Sequence, residues 1–350
     1  MKQKIGRVLV ETAVRRTIKD IQQDPERSIR NLIDMALNFA AGRFQQQFFE
    51  ATRQALSRED SAYYRLVTDV VNSVETDRLV TFGMNLGYNG CTRGARIIRS
   101  IVAEEGFNIP WCLYLDIDQE TFLSHTSAYK RLIRQGEELG IHTWQLHTAN
   151  PSEQLLNLVA AFPDSAFVLF CPPGYIKKEL LARAAHIPNL MITCIYSEKE
   201  QAECERACRE LRAGGFLYGL HLVYQKKEEA SLKDDHYLAG LLNLHPAFVF
   251  FSPDPSLPAP DRQRFYSVIK ALRLSQDYAA IFLELHLDNQ KIDSIISQDG
   301  CSGGFTAQGR LYTLEEKNLS SDTCFFDHNL KSILKTAFPK EIKRELSQDS

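Results

Sequence analysis

Asp116, Asp118, His147, His221, Glu284 and His286 are the side chains of this 350-residue chain best suited by type to catalysis, and each stands at or near the end of a short apolar or alternating run. Carboxylates beside histidines suit general acid–base work and metal ligation equally, and the spacing does not choose between them. Taken every second residue, the runs sort into two faces. Asn85 then shares a face with Thr81 and Gly83, Asp116 and Asp118 with Cys112 and Tyr114, and His147 with Thr143 and Gln145; His221 goes with Gly219, and Glu284 and His286 with Asp288. Where helices cover the outside of such a sheet, the apolar rows turn outward and the polar rows turn in, converging at the C-terminal ends of the strands. On that arrangement Asp116, Asp118, Glu284 and His286 are the candidate catalytic groups, and His147 and His221 the candidate metal ligands. An Asp at the end of a strand is equally the residue that caps the next helix, and barrel interiors are commonly filled by branched apolar side chains.

A second set lies upstream, in Gly87-Tyr88-Asn89-Gly90-Cys91-Thr92-Arg93-Gly94. Read as a loop between a strand and a helix, it offers glycines for close backbone approach and helix amides for an anion. Asn85, Gly87, Gly90, Cys91 and Thr92 are therefore the candidate cofactor-binding residues. Cys91 at a helix start is a nucleophile or ligand candidate, set against the plainer reading of a buried, inert thiol. The eight cysteines form no paired C-x-x-C set, which argues against a structural zinc site, and Cys204 and Cys208 share one turn of a helix on the outside of the barrel, an incidental spacing.

These residues need elements to hold them. Up to about residue 75 the pattern is helical: Asp24-Pro25-Glu26 is a helix start, Ile29, Leu32, Ile33, Ala36, Phe39 and Ala40 make one stripe, Phe44, Phe48, Phe49 and Leu56 a third helix, and Tyr63 to Val74 a fourth. From Asp77, strands at Leu79–Leu86, Ile109–Ile117, Ile141–His147, Ala166–Cys171, Leu190–Tyr196, Phe216–Val223, Ala247–Phe251 and Ala280–Leu287 alternate with helical periods. Eight such strands with helical crossovers predict a parallel α/β sheet rolled into a closed or nearly closed barrel. The tail reads as a hairpin after Gly300-Cys301-Ser302-Gly303-Gly304, a helix near His328–Ala337, and a charged last dozen residues. The predicted division is a helical subdomain at 1–75, the barrel at 76–290 and an extension at 291–350.

A net charge of −3 from 41 basic and 44 acidic residues favours neither nucleic acid nor an anionic membrane as partner. The first residues hold only Val8, Leu9 and Val10 as an apolar run, so no signal peptide is predicted, and a cytoplasmic location with reduced thiols is expected.

In their order along the chain these segments resemble the radical S-adenosylmethionine superfamily, over about Leu79 to Thr313. The Cys91 segment stands where that family's cluster loop follows the first strand. Asp116-Ile117-Asp118-Gln119-Glu120-Thr121-Phe122-Leu123 stands at its glycine- and glutamate-rich segment, and Cys301 to Thr313 is similar to the opening of a SPASM extension. The resemblance implies a (β/α) barrel of the radical-SAM/TIM type, with S-adenosylmethionine as a possible cofactor. It departs at the cluster: the family's three thiolates are spaced C-x-x-x-C-x-x-C, whereas Ala95 and Ile98 follow Cys91 at those positions, so an iron–sulfur cluster is not expected. The implied function is a degenerate, cluster-less barrel that binds a small molecule or peptide as partner of a peptide- or metabolite-modifying system. The alternatives are a metal- or acid/base-dependent hydrolase, lyase or isomerase, and a radical enzyme with dispersed cluster ligands.

Overall fold

A computed structural model of the chain describes residues 2–38, 46, 50, 53, 58–226, 228–297, 300–313 and 323–340. The third predicted helix, through Phe44, Phe48, Phe49 and Leu56, and all but the first two of the charged last dozen residues lie outside these.

The centre is one curled sheet of nine strands: β1 (Cys112–Ile117), β2 (Thr143–Thr148), β3 (Ala166–Cys171), β4 (Leu190–Ile195), β5 (Tyr218–Tyr224), β6 (Phe248–Pro253), β7 (Ile281–Glu284), β8 (Gly303–Phe305) and β9 (Leu311–Thr313). Their order across the sheet is β7-β6-β5-β4-β3-β2-β1-β8-β9, all parallel but for β9. It is a half-barrel, and the expected closed barrel is not formed, because β7 pairs with β6 alone and the far edge is β9. The helix Leu285–Ile296 leans across the open side onto β1. Asp293 takes the Trp111 N–H at 2.8 Å, Ser297 donates to Ile109 O at 2.7 Å, and the Tyr114 hydroxyl donates to Leu285 O at 2.8 Å.

Two of the predicted strands fail. Leu79–Leu86 is helical: Thr76–Gly83, a π-helix Met84–Gly94 and Ala95–Glu105 run on without a break to the left-handed Gly106. The even-numbered apolar row that imitated a strand has a different cause. Residues two apart on a helix lie about 200° apart by a 3.6-residue turn, so a helix buried on opposite sides shows period two. Phe82 and Leu86 pack inward on the sheet, whereas Val80 and Met84 pack outward on Ile18, Ile21 and Ile33. The place expected for that strand beside β1 is filled by β8. The second failure is Ala280–Leu287, which is strand only to Glu284, so that His286 and Asp288 sit in the first turn of the next helix.

The alternation along the strands separates two cores. Leu113, Leu115, Trp144, Leu146, Phe167 and their like face the covering helices, while Ala166, Val168, Phe170, Met191 and Phe250 face inward. At the N-terminal ends of the strands the concave side is stopped by the helices Ala62–Ser73 and Thr76–Gly83, with Leu66, Val74 and Phe82 buried against it. That plug is bonded to the backbone entering β3, β4, β5 and β7: Asn85 to Pro163 O and Ser165 O, Arg78 to Ile187 O, Glu75 N to Gly215 O, and Ala62 N to Gln276 O. Among the described residues, no helix is long and apolar enough to cross a membrane.

Candidate functional site

With the N-terminal mouth stopped, the inward face is layered by strand register. One layer runs Tyr114, Gln145, Val168, Met191; the next runs Asp116, His147, Phe170, Thr193, Gly219; a third runs Ile195, His221, Phe250, Leu283. Gly219 is needed here, since a Cβ on it would lie 2.9 Å from Phe248 O and 3.1 Å from the Phe250 ring.

Rings dominate the C-terminal half of this face. His147 stacks flat on Phe170 at 4.3 Å between centroids, and His221 stands edge-on to both at 6.0 and 5.2 Å. Tyr114 lies 6.1 Å from His147 and 6.1 Å from His286, reaching across from β1 to the first turn of the helix Leu285–Ile296. Burial withholds the proton from all three imidazoles, holding His147 at about 3 and His221 and His286 at about 4; the neighbouring histidines add to the effect at His147 and His221, and Arg262 adds to it at His286. They are neutral at physiological pH. His221 Nε2 meets the Ser252 hydroxyl at 2.7 Å, a partner that the sequence reading missed although Ser252 continues the inward row of Phe248 and Phe250.

The predicted catalytic residues divide. Glu284 is fully buried, takes the Tyr224 hydroxyl at 3.1 Å and the Leu287 N–H at 2.5 Å, and so caps the helix beside Tyr114. Burial raises its carboxyl to about 7. Asp116 stands in the same layer as His147 with no hydrogen bond or ion pair to its carboxyl among the described residues, and desolvation raises it to about 6. Its charge is felt by Tyr312 of β9, which the sequence reading also missed because the β8–β9 hairpin comes near Asp116 only through the non-local pairing of β8 with β1. Asp118 is exposed and spends its carboxylate capping the helix Gln119–Ser124 through Thr121, away from the inward face. Asp288, read as a strand partner of Glu284, turns to Arg273 and Tyr266.

The candidate cofactor set stands apart from these residues, at the other end of the strands. Its segment is no loop but a helix: Asn85 is wholly buried and clamps the chain entering β3, Thr92 donates to Gly87 O, and a Cβ on Gly90 would press on the Thr143 hydroxyl at 3.3 Å. Cys91 packs partly buried against the apolar core, and burial pushes its thiol up to about 12, so it is protonated and a poor nucleophile at neutral pH. For metal, His147 and His221 face one another, but among the described residues no three His, Cys, Asp or Glu side chains gather as a metal ion would require.

Five buried polar atoms on the inward face have no partner among the described residues: Thr143 Oγ1 against the plug and, above it, Gln145 Oε1, His147 Nε2, Thr193 Oγ1 and His221 Nδ1. Buried polar atoms are paired in the great majority of cases. The four on the three upper layers of that face are hydrogen-bonding groups that water or a ligand can satisfy.

No protein-family model matches the chain, and no curated protein matches it. Among solved structures it is similar to SuiB of Streptococcus suis, at 9% identity over 68% of each chain with a TM-score of 0.48. The same protein bound to S-adenosylmethionine aligns at 10% identity and 0.48, over 68% of this chain and 66% of that one. Bound to the precursor peptide SuiA it aligns at 9% and 0.47, over 68% and 67%. Likeness of this degree assigns the chain no activity, and its site is defined by its own inward face.

Proposed function

We propose that this chain is a binding protein of half-barrel form, which takes a small molecule or a peptide side chain on its concave face by hydrogen bonds and ring contacts. The row of unpartnered inward atoms at Gln145, His147, Thr193 and His221 carries this reading. A curled parallel sheet agrees with the radical S-adenosylmethionine resemblance of the sequence, and a role beside a peptide-modifying system fits a site without redox chemistry. The cofactors of that family do not fit these residues. Of the dispersed thiols that could serve instead, Cys91 stands in a helix, Cys171 lies in the core under the helices and Cys301 is buried before β8, and among the described residues no three ligand side chains gather, so no step is derived through a cluster. The residues expected to hold S-adenosylmethionine are built into the helix that clamps β3. A second reading, metal-free acid–base catalysis, is favoured by Asp116, whose carboxyl changes charge near pH 6.

The test uses Thr193, which is fully buried. An unpaired buried hydroxyl costs about 1–3 kcal/mol, so Thr193→Val should raise the stability of the free protein by about 1 kcal/mol. Ligands found by thermal shift in a metabolite and peptide library should stabilise the wild type and lose that effect in the variant. A variant less stable than wild type, with ligand shifts intact, sinks the reading, because the hydroxyl would then be serving the fold.

A further inference from the structure

The binding face carries a consistent chemical bias. From β1 to β7 its inward positions hold no lysine or arginine. Gln145 Oε1 can only accept a hydrogen bond, and a neutral imidazole offers one acceptor nitrogen. Asp116 adds an unpaired carboxyl in the same layer as His147, and Tyr114 and Phe170 supply ring walls. At this end of the barrel Arg262 is tied to Leu257 O at 2.8 Å and is felt at Tyr224 and His286, and Arg273 is tied to Asp288 at 2.9 Å, so both guanidiniums already have partners on the β6–β7 side.

We infer that the ligand of this face carries an ammonium group, which the geometry places between the Asp116 carboxyl, the His147 and Gln145 acceptors and the aromatic walls. The inference rests on the binding reading above. An ammonium supplies three donors and no acceptor, the complement of these atoms, and is attracted to ring faces. A ligand anion meets the opposite situation. It finds no cation at these inward positions, where burial holds the imidazoles neutral. The ammonium can belong to a small amine or to a lysine side chain of a peptide, since both end in the same group.

The full-length chain is titrated at neutral pH with butylamine, butanol and butyrate, three probes of similar reach and different charge, and followed by the imidazole NMR signals of His147 and His221. Butylamine should bind at least about tenfold more tightly than butanol, a difference of about 1.4 kcal/mol, and butyrate should leave the signals unmoved. Asp116→Asn should abolish the preference for the amine while leaving butanol binding in place. Tighter binding of N-acetyl-lysine amide than of butylamine assigns the ammonium to a peptide, and the reverse to a small amine. Equal binding of amine and alcohol, or stronger binding of butyrate, overturns the ammonium and leaves the binding face standing. Failure of every probe to move the imidazole signals overturns both.

Discussion

A buried imidazole that refuses its proton and a buried carboxyl that keeps one pull the stability of the same molecule in opposite directions. His142, His147, His221 and His286 are held at about 3 to 4, below the ordinary 6.5, so their contribution is lost as pH falls from 6.5 toward 4. Asp116, Glu284 and Asp293 are raised to about 6, 7 and 7, so theirs is present at low pH and lost as pH rises from about 4 toward 7. The two groups act over the same window and partly cancel. Glu284→Gln removes one carboxyl from that balance while keeping an acceptor for the Leu287 N–H. Measured by urea unfolding, the stability of the variant relative to wild type should rise between pH 5 and pH 8. With a carboxyl raised from 4.5 to about 7, the change is about 3 kcal/mol. Parallel pH profiles would show that Glu284 stays ionised in its pocket.

At the scale of elements, the plug of the N-terminal mouth hangs on Arg78. The residue is 1% exposed, and its guanidinium lies 4.2 Å from the centre of the Phe216 ring and bonds Ile187 O at 2.8 Å and Ala185 O at 3.2 Å. Arg78→Ala leaves those carbonyls without their donor and opens a cavity, and should cost about 3–5 kcal/mol by denaturant unfolding. Lysine should restore little of it, having one charge where the fork reaches several carbonyls; a fully stable Arg78→Lys would contradict the clamp. The same region shows what could be read from sequence and what could not. Six parallel strands were legible, and β7 in its first half, because each is a short apolar or alternating run between turn residues, and Ala166–Cys171 was read to the residue. His147 and His221 were legible because period two put them on the face that proved to be inward. Asn85 to Thr92 were misread because period two has two causes, and only contacts distant in sequence distinguish a strand from a helix buried on both sides. Ser252 and Tyr312 were passed over because a hydroxyl takes its meaning from its neighbours, His221 for Ser252, and Tyr114 and Asp116 for Tyr312.

The whole molecule is tied together at β1, where the first and last parts of the chain meet. β8 lies on β1 at Gly304, where a Cβ would fall 2.6 Å from Tyr114 Cβ and 2.7 Å from Tyr114 O. Gly304→Val should therefore prise β8 off. The loss should appear as faster hydrogen exchange of the β1 amides with the β4–β5 amides unchanged, and unaltered protection of β1 would mean that the edge is covered in another way. The opposite edge needs no strand: Arg273 donates to Phe282 O at 3.3 Å and Asp288 takes the Glu284 N–H at 3.0 Å, so side chains occupy the groups that β7 would offer a neighbour.

The pairing of β8 with β1 also sets a timetable. As the chain leaves the ribosome, β1 is the first strand made and gains β2 beside it almost at once, yet its other edge stays uncovered until all of β2 to β7 have followed. Through that interval an apolar strand flanked by Trp111 displays unpaired amides and carbonyls, the template on which unfolded chains stick to one another. Closing so long a loop is slow relative to the neighbouring crossovers. Nascent chains stalled before Gly303 should then be the species that chaperones hold, and the docking of three residues, Gly303 to Phe305, the event that releases them.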